Sequence, residues 1–472
     1  MRRELIFVVF IVLFILAGNA YSHQHEVHQY ITREAFKLLQ WSFPGQLAEI
    51  ASYVGTDEIW SGSSGDGSFG ALKIVSGVVL EDLYDVVYHY GLGREPNWTM
   101  IPPDWVVDIL TDIIGEGSLT TITHFWDADG GTDKRTHLSD DIFSGSSITT
   151  WALDCENALR KIRKYMDGDY DFLWAYKNGI QSWDWCGINS LQLMTKFNVA
   201  GVVDFYNARE DFRAISYFGE DGQWHDTDCP NWDTSFTEFH KAHAYEILGR
   251  MCHLLQDMSV PCHVHCNSHA CKHGMYCDYY ENNELNYTHP TAEDIYNDGE
   301  TFINPYNEID DPIYFLMYFM NQIADHYADG KTDGDDNIPD ERFLPYLEPI
   351  LPTLGPPTTT AQINDANCRA MHEKLIKYAI RTTAGLLYWF AVETGQLPRP
   401  QVLSGGVTLT DDIVVSDGAT LIISSNAIVN LNGHKVTSAG GLIIVERGAV
   451  IDPDIRLLSS NGMLIGLYPD VV

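Results

Sequence analysis

At Leu397-Pro398-Arg399-Pro400 the pattern of the chain changes, and neither a lone helical bundle nor a lone sheet accommodates both sides of that change. Upstream, apolar residues recur at helical spacing. Val27, Ile31, Ala35, Leu38 and Leu39 share one face. An apolar segment from Ala71 to Val87 carries the acidic pair Glu81-Asp82, and the 151–166 region also reads as helix. A long helix is expected from Phe236 to about Asp257 with Pro261 at its exit, and further helices at 310–328 and 366–394. Downstream, short β-rich runs (Ile413-Val-Val, Leu421-Ile-Ile, Val429-Asn-Leu, Leu442-Ile-Ile-Val) recur at roughly seven- to eight-residue intervals, punctuated by Gly and Asn. The expected class is therefore mainly α, an all-helical domain over 23–396. A 397–400 linker and a small β-rich module over 401–472 follow, the latter of the kind a parallel β-solenoid makes. The linker has few groups with which to pack, so the module reads as an appendage for attachment to a surface or matrix, or for recognition by an export system.

The first residues set the compartment. Arg2 and Arg3 precede an apolar run from Leu5 to Ala17, and small residues follow through Ser22. This is a secretory signal peptide over 1–22, with cleavage after Ala20 or Ser22; an uncleaved anchor is the other reading. A secreted, cell-surface or periplasmic protein is expected, with no transmembrane segment after cleavage. Nine cysteines then lie where disulfides persist, with Cys262, Cys266, Cys271 and Cys277 crowded together. The formal net charge of -36 disfavours non-specific duplex DNA binding, which needs cations on the phosphates.

Metal chemistry is the strongest local signal. His253 and Asp257 stand four apart on an expected helix, so one imidazole and one carboxylate share a face. Beyond the helix-breaking Pro261, His263 and His265 add nitrogen donors. Further donors are spread along the chain: His28, Asp82, His124 in Thr123-His-Phe-Trp-Asp127, and Glu281 in Cys277-Asp-Tyr-Tyr-Glu281. The acidic run from Asp329 to Glu341 reads as a solvated loop, because Lys331 occupies a position where a calcium loop wants oxygen. There is no Gly-rich phosphate loop, no G-x-S-x-G elbow and no H-E-x-x-H helix.

Taken together, these blocks resemble the zinc-dependent phospholipase C family and the related zinc single-strand nucleases, over roughly residues 23 to 396. The motifs are His253-x-x-x-Asp257-x-x-x-Pro261-x-His263, Ser76-Gly-Val-Val-Leu-Glu-Asp82, His124-Phe-Trp-Asp127 and the closing stretch Arg381 to Gly395. The resemblance implies an all-helical domain holding up to three zinc ions. Asp82, His124, His253 and Asp257 would hold one. Asp257 would bridge to a second, shared with His28 and the amine of a mature N-terminal His23. His263 and Glu281 would serve the third. The chain departs from the family at that first residue, where members have Trp, and at Cys277, where the family has a histidine four before its Glu. His269 and His273 are alternative donors there.

The implied activity is phosphodiester hydrolysis by a zinc-activated water, with Asp82 as the catalytic carboxylate that orients or deprotonates it. A phospholipid headgroup is the favoured substrate, approached through the Trp-rich stretch from Trp174 to Trp185. Single-stranded nucleic acid is the alternative, with Phe125, Trp126 and Tyr279 as stacking platforms. A surface-binding protein with a structural metal site is a third reading.

Overall fold

The computed structural model describes residues 25–55, 73–83, 124–130, 157–167, 217–218, 224–225, 234–264, 280, 283–307, 309–327, 338–347, 350, 365–424, 427–446, 448–452, 458–459 and 464–465. In chain order the helices are α1 (His25–Ser42), α2 (Ala48–Tyr53), α3 (Ile74–Leu83), α4 (Ala158–Asp167), α5 (Thr234–Asp257), α6 (Pro261–Val264), α7 (Ala292–Asn297), α8 (Pro312–Asp325), α9 (Leu344–Leu347) and α10 (Asp365–Glu393). An antiparallel pair of two-residue strands, β1 (Tyr217–Phe218) and β2 (Trp224–His225), precedes α5 in the chain. The described residues form two compact units: those up to Gln29 with Tyr53–Leu285, and Tyr30–Ser52 with Asn286 onward. No described helix is long and apolar enough to cross a membrane.

In the first unit α5 packs along α3 and against α4. The α3–α5 contact is made possible by Gly77 and Gly249. A Cβ at Gly77 would fall on the Glu246 carbonyl oxygen, and one at Gly249 on that of Ile74. The two backbones therefore touch, which only glycine permits. Asn157 starts α4 by accepting the Arg160 amide at 2.8 Å, an N-cap that satisfies a first-turn donor. At the far end of α5, Pro261 does not merely stop the helix. It opens α6, where a missing N–H costs nothing, and the turn of Met258–Val260 carries His263 back toward Asp257.

In the second unit α8 packs on α10. Asp311 caps α8 by accepting the Tyr314 amide at 2.9 Å, with Pro312 at the first helical position. Beyond α10 the chain forms β3 (Gln401–Leu403), β4 (Gly406–Thr408), β5 (Ile413–Ser416), β6 (Thr420–Ile423), β7 (Ile428–Asn430), β8 (Val436–Ala439), β9 (Leu442–Val445), β10 (Val450–Asp452), β11 (Leu458–Ser459) and β12 (Leu464–Ile465). They assemble into three parallel ladders: β3-β6-β9-β12, β4-β7-β10 and β5-β8-β11. Gly406 pairs with Ile428 and Ile428 with Val450, so the chain completes one three-sided turn in roughly 22 residues. The seven- to eight-residue spacing in the sequence is one side of that turn.

The side chains show which face of this coil is covered. In β5 and β7 buried and outward positions alternate. In β6 and β9 all four residues are buried. Leu421, Ile423, Ile443 and Val445 fill the interior of the coil, so Ile422 and Ile444 point outward by alternation and are buried by other parts of the unit. A parallel sheet covered on both faces reads as a continuous apolar run. Helix-side partners include Asn304, whose amide donates to Glu446 at 3.0 Å, and Gln46, which donates to Asp417 at 3.1 Å. The 397–400 stretch is held to α10 at two points, although Pro398 and Arg399 are exposed. Leu397 is buried, its amide bonds the Ala391 carbonyl, and Arg399 pairs with Glu393 at 2.7 Å. Leu397 and the exposed Arg399–Glu393 pair are thus the described anchors of the expected 397–400 linker. Replacing Ile422 by Asp should destabilise this unit by at least about 3 kcal/mol, because it buries an unpaired carboxylate. Thermal unfolding measures it, and an unchanged midpoint would mean that the covered face contributes nothing.

Candidate metal centre

The site lies in the first unit and centres on Asp257, the last residue of α5. His28 comes from the first turn of α1, His253 from one turn earlier on α5, and His263 from α6. His124 opens the short described segment 124–130. Two backbone bonds place that segment. The Trp126 amide donates to the His263 carbonyl at 3.1 Å, and the Phe125 carbonyl accepts the Ala158 amide, at the start of α4, at 3.0 Å. Donors far apart in sequence are thereby drawn to one carboxylate.

The geometry divides about that carboxylate. Asp257 Oδ2 faces His124 Nδ1 at 3.1 Å and His253 Nε2 at 3.2 Å. Oδ1 faces His28 Nε2 at 3.5 Å and His263 Nδ1 at 3.9 Å. All five side chains are fully buried. In His28, His253 and Asp257, one ligand atom from each lies within 4.8 Å of the others, which suits a metal ion. Tetrahedral zinc with bonds of about 2.0–2.1 Å separates its ligand atoms by roughly 3.3 Å, close to the Oδ2 distances.

Outer hydrogen bonds orient the rings. His253 Nδ1 lies 2.6 Å from the Val78 carbonyl, which can only accept, so Nδ1 carries the proton and Nε2 presents its lone pair to Asp257. His28 Nδ1 likewise donates to Gln256 Oε1 at 2.8 Å. The two rings stack with centroids 3.9 Å apart. Lone pairs aimed from neutral imidazoles at a buried carboxylate are the arrangement a cation requires. Without a cation the rings can face Asp257 favourably only as N–H donors: burial pushes the Asp257 carboxyl up, but positive charge and N–H donation from His253 and His124 hold it well below the ordinary carboxylate value.

A second buried cluster adjoins the first. Glu81 on α3 contacts Lys161 Nζ at 2.6 Å, the Tyr165 hydroxyl at 2.6 Å and Arg250 Nη1 at 3.1 Å. Its Oε1 lies 3.8 Å from His124 Nε2. Burial alone would raise its pKa. Lys161 and Arg250, joined by His124 and His253, overcome that and hold it at about 2.

Of the residues expected from sequence, His28, His124, His253, Asp257 and His263 converge here. Asp82 belongs to α3, but its side chain lies outside the described residues, as do His23, His265, His269, His273, Cys277, Tyr279, Glu281 and the stretch from Trp174 to Trp185. Phe125 and Trp126, expected as open stacking platforms, are buried, and Phe125 stacks on His263 at 4.4 Å. Of the acidic run at 329–341 only its last residues are described, and there Asp340 pairs with Arg342 at 2.6 Å. Cys252 is a buried free thiol, and Cys368 is buried as well. Sequence reasoning missed Glu81, Lys161, Tyr165, Arg250 and Gln256. A signal for two of them was present: Lys161 sits among Ala158, Ile162 and Tyr165, and Arg250 among Ile247, Met251 and Leu254, so cations lie on apolar helix faces. Comparison with family models, curated proteins and solved structures finds no match to this chain.

Proposed function

We propose that the chain is an exported zinc-dependent phosphodiester hydrolase of phospholipase C type, with a phospholipid headgroup as its substrate. The observation that carries this reading is the division of imidazoles between the two oxygens of buried Asp257. The atoms of His28, His253 and Asp257 alone fit a single ion; in the two-ion reading Asp257 bridges, with His124 and His253 on one side and His28 on the other. In the same reading Asp82 completes the first set, the amine of a mature N-terminal His23 completes the second, and His263 with Glu281 serves a third ion. Bound zinc supplies a water acidified toward neutrality and positive charge for the phosphate oxygens. Asp82 is the residue we assign to receive the attacking water's proton on its carboxylate. The lipid branch is preferred to the nuclease branch because the rings of Phe125 and Trp126 are packed away from any base.

A second reading, a metal site that only stabilises the fold, is favoured by the complete burial of the five described donors. Turnover of a chromogenic phosphodiester separates the two. Hydrolysis that a chelator abolishes and zinc restores is expected. Zinc uptake that raises the unfolding temperature with no turnover on phosphodiester, phospholipid or single-stranded DNA would leave only the structural role.

A further inference from the structure

The buried cluster around Glu81 has no assigned part in the reaction, yet it touches the metal centre through His124. His28 and His253 give their outer nitrogens to neutral acceptors, a side-chain amide and a backbone carbonyl. His124 is turned the other way round. Its Nδ1 faces Asp257 at 3.1 Å, and its Nε2 faces the Glu81 carboxylate at 3.8 Å.

Glu81 is itself immobilised. Lys161 holds Oε1, while Tyr165 and Arg250 hold Oε2, so α4 and α5 fix a carboxylate carried by α3. Glu246 adds a second anion beside Arg250, at 3.4 Å. Among the described residues the two carboxylates face two cations. An exposed position would satisfy these groups in water; burial of all of them requires that each face a counter-charge.

We infer that Glu81 is a positioning residue for the metal centre: its anchored carboxylate keeps the His124 proton on Nε2 and so directs the Nδ1 lone pair to the ion beside Asp257. The inference rests on the metal-binding reading above. A carboxylate behind a ligating imidazole fixes its tautomer and ring orientation. The 3.8 Å separation makes this a through-space charge effect on the ring rather than a direct hydrogen bond. Lys161, Arg250 and Tyr165 then act one step further out, by holding Glu81 at that place.

The test uses the full chain loaded with zinc and carries two readouts. In nitrogen-15 spectra of histidine-labelled wild-type protein, His124 should be protonated on Nε2 and zinc-ligated through Nδ1. His28 and His253 should show the opposite pattern. In the Glu81→Gln variant the shape and size of the side chain persist without the charge, and zinc affinity should fall roughly 10- to 100-fold with helical circular dichroism retained. Ligation of His124 through Nε2, or unchanged zinc affinity in the variant, would overturn the assignment and leave Glu81 as an ion-pair anchor only. Should the variant fail to fold, the wild-type tautomer decides alone. If wild-type protein takes up no zinc, the metal reading itself falls and the inference with it.

Discussion

Asp257→Asn is expected to remove zinc and activity together, with residual turnover at least about 1000-fold below wild type. The substitution keeps the side chain's size but replaces one oxygen with an amide nitrogen that cannot ligate. It also removes the negative charge facing four imidazoles. If Asp257 bridges two ions as proposed, its loss strips charge compensation from both sides at once, which exceeds the effect expected for removing a single outer partner. Metal analysis and a chromogenic phosphodiester assay on the same sample measure it. Full zinc occupancy in this variant would mean that the ions bind elsewhere.

Gly77→Ala is expected to cost about 3 kcal/mol or more in the first unit and to weaken zinc binding, although residue 77 touches no donor. The added methyl would occupy the position of the Glu246 carbonyl oxygen, which belongs to the backbone of α5 and cannot turn aside. The helices must separate, and two links across them suffer. One is the bond from His253 to the Val78 carbonyl; the other is the Arg250–Glu81 pair. Denaturant unfolding with and without zinc measures both effects. A midpoint equal to wild type would show that α3 and α5 are not held at backbone contact.

Much of this was legible in the sequence because the signals were local. The helical stripe of Val27, Ile31, Ala35, Leu38 and Leu39 is fully buried in α1. His253 and Asp257 were readable as a half-site because i, i+4 spacing on a helix fixes their common face. The coil was readable because continuous and alternating apolar runs recur at the length of one side. What the sequence withheld depends on helical phase and on contact between distant segments. Glu81 and Asp82 are adjacent, and consecutive helix positions project about 100° apart, so which of them meets Lys161 and Arg250 turns on how α3 is rotated. Nothing local joins Glu81 to Lys161 and Arg250. The two glycines of the α3–α5 crossing are isolated within helical patterns, a mark of close approach whose partner only the fold identifies.

The central claim is that zinc is held by imidazole and carboxylate around Asp257, and zinc-edge X-ray absorption on protein purified without added metal tests it most directly. The expected result is a first shell of nitrogen and oxygen at about 2.0–2.1 Å with the outer scattering of imidazole, lost in Asp257→Asn. A shell dominated by sulfur at about 2.3 Å would place the zinc on cysteines instead and contradict the assignment.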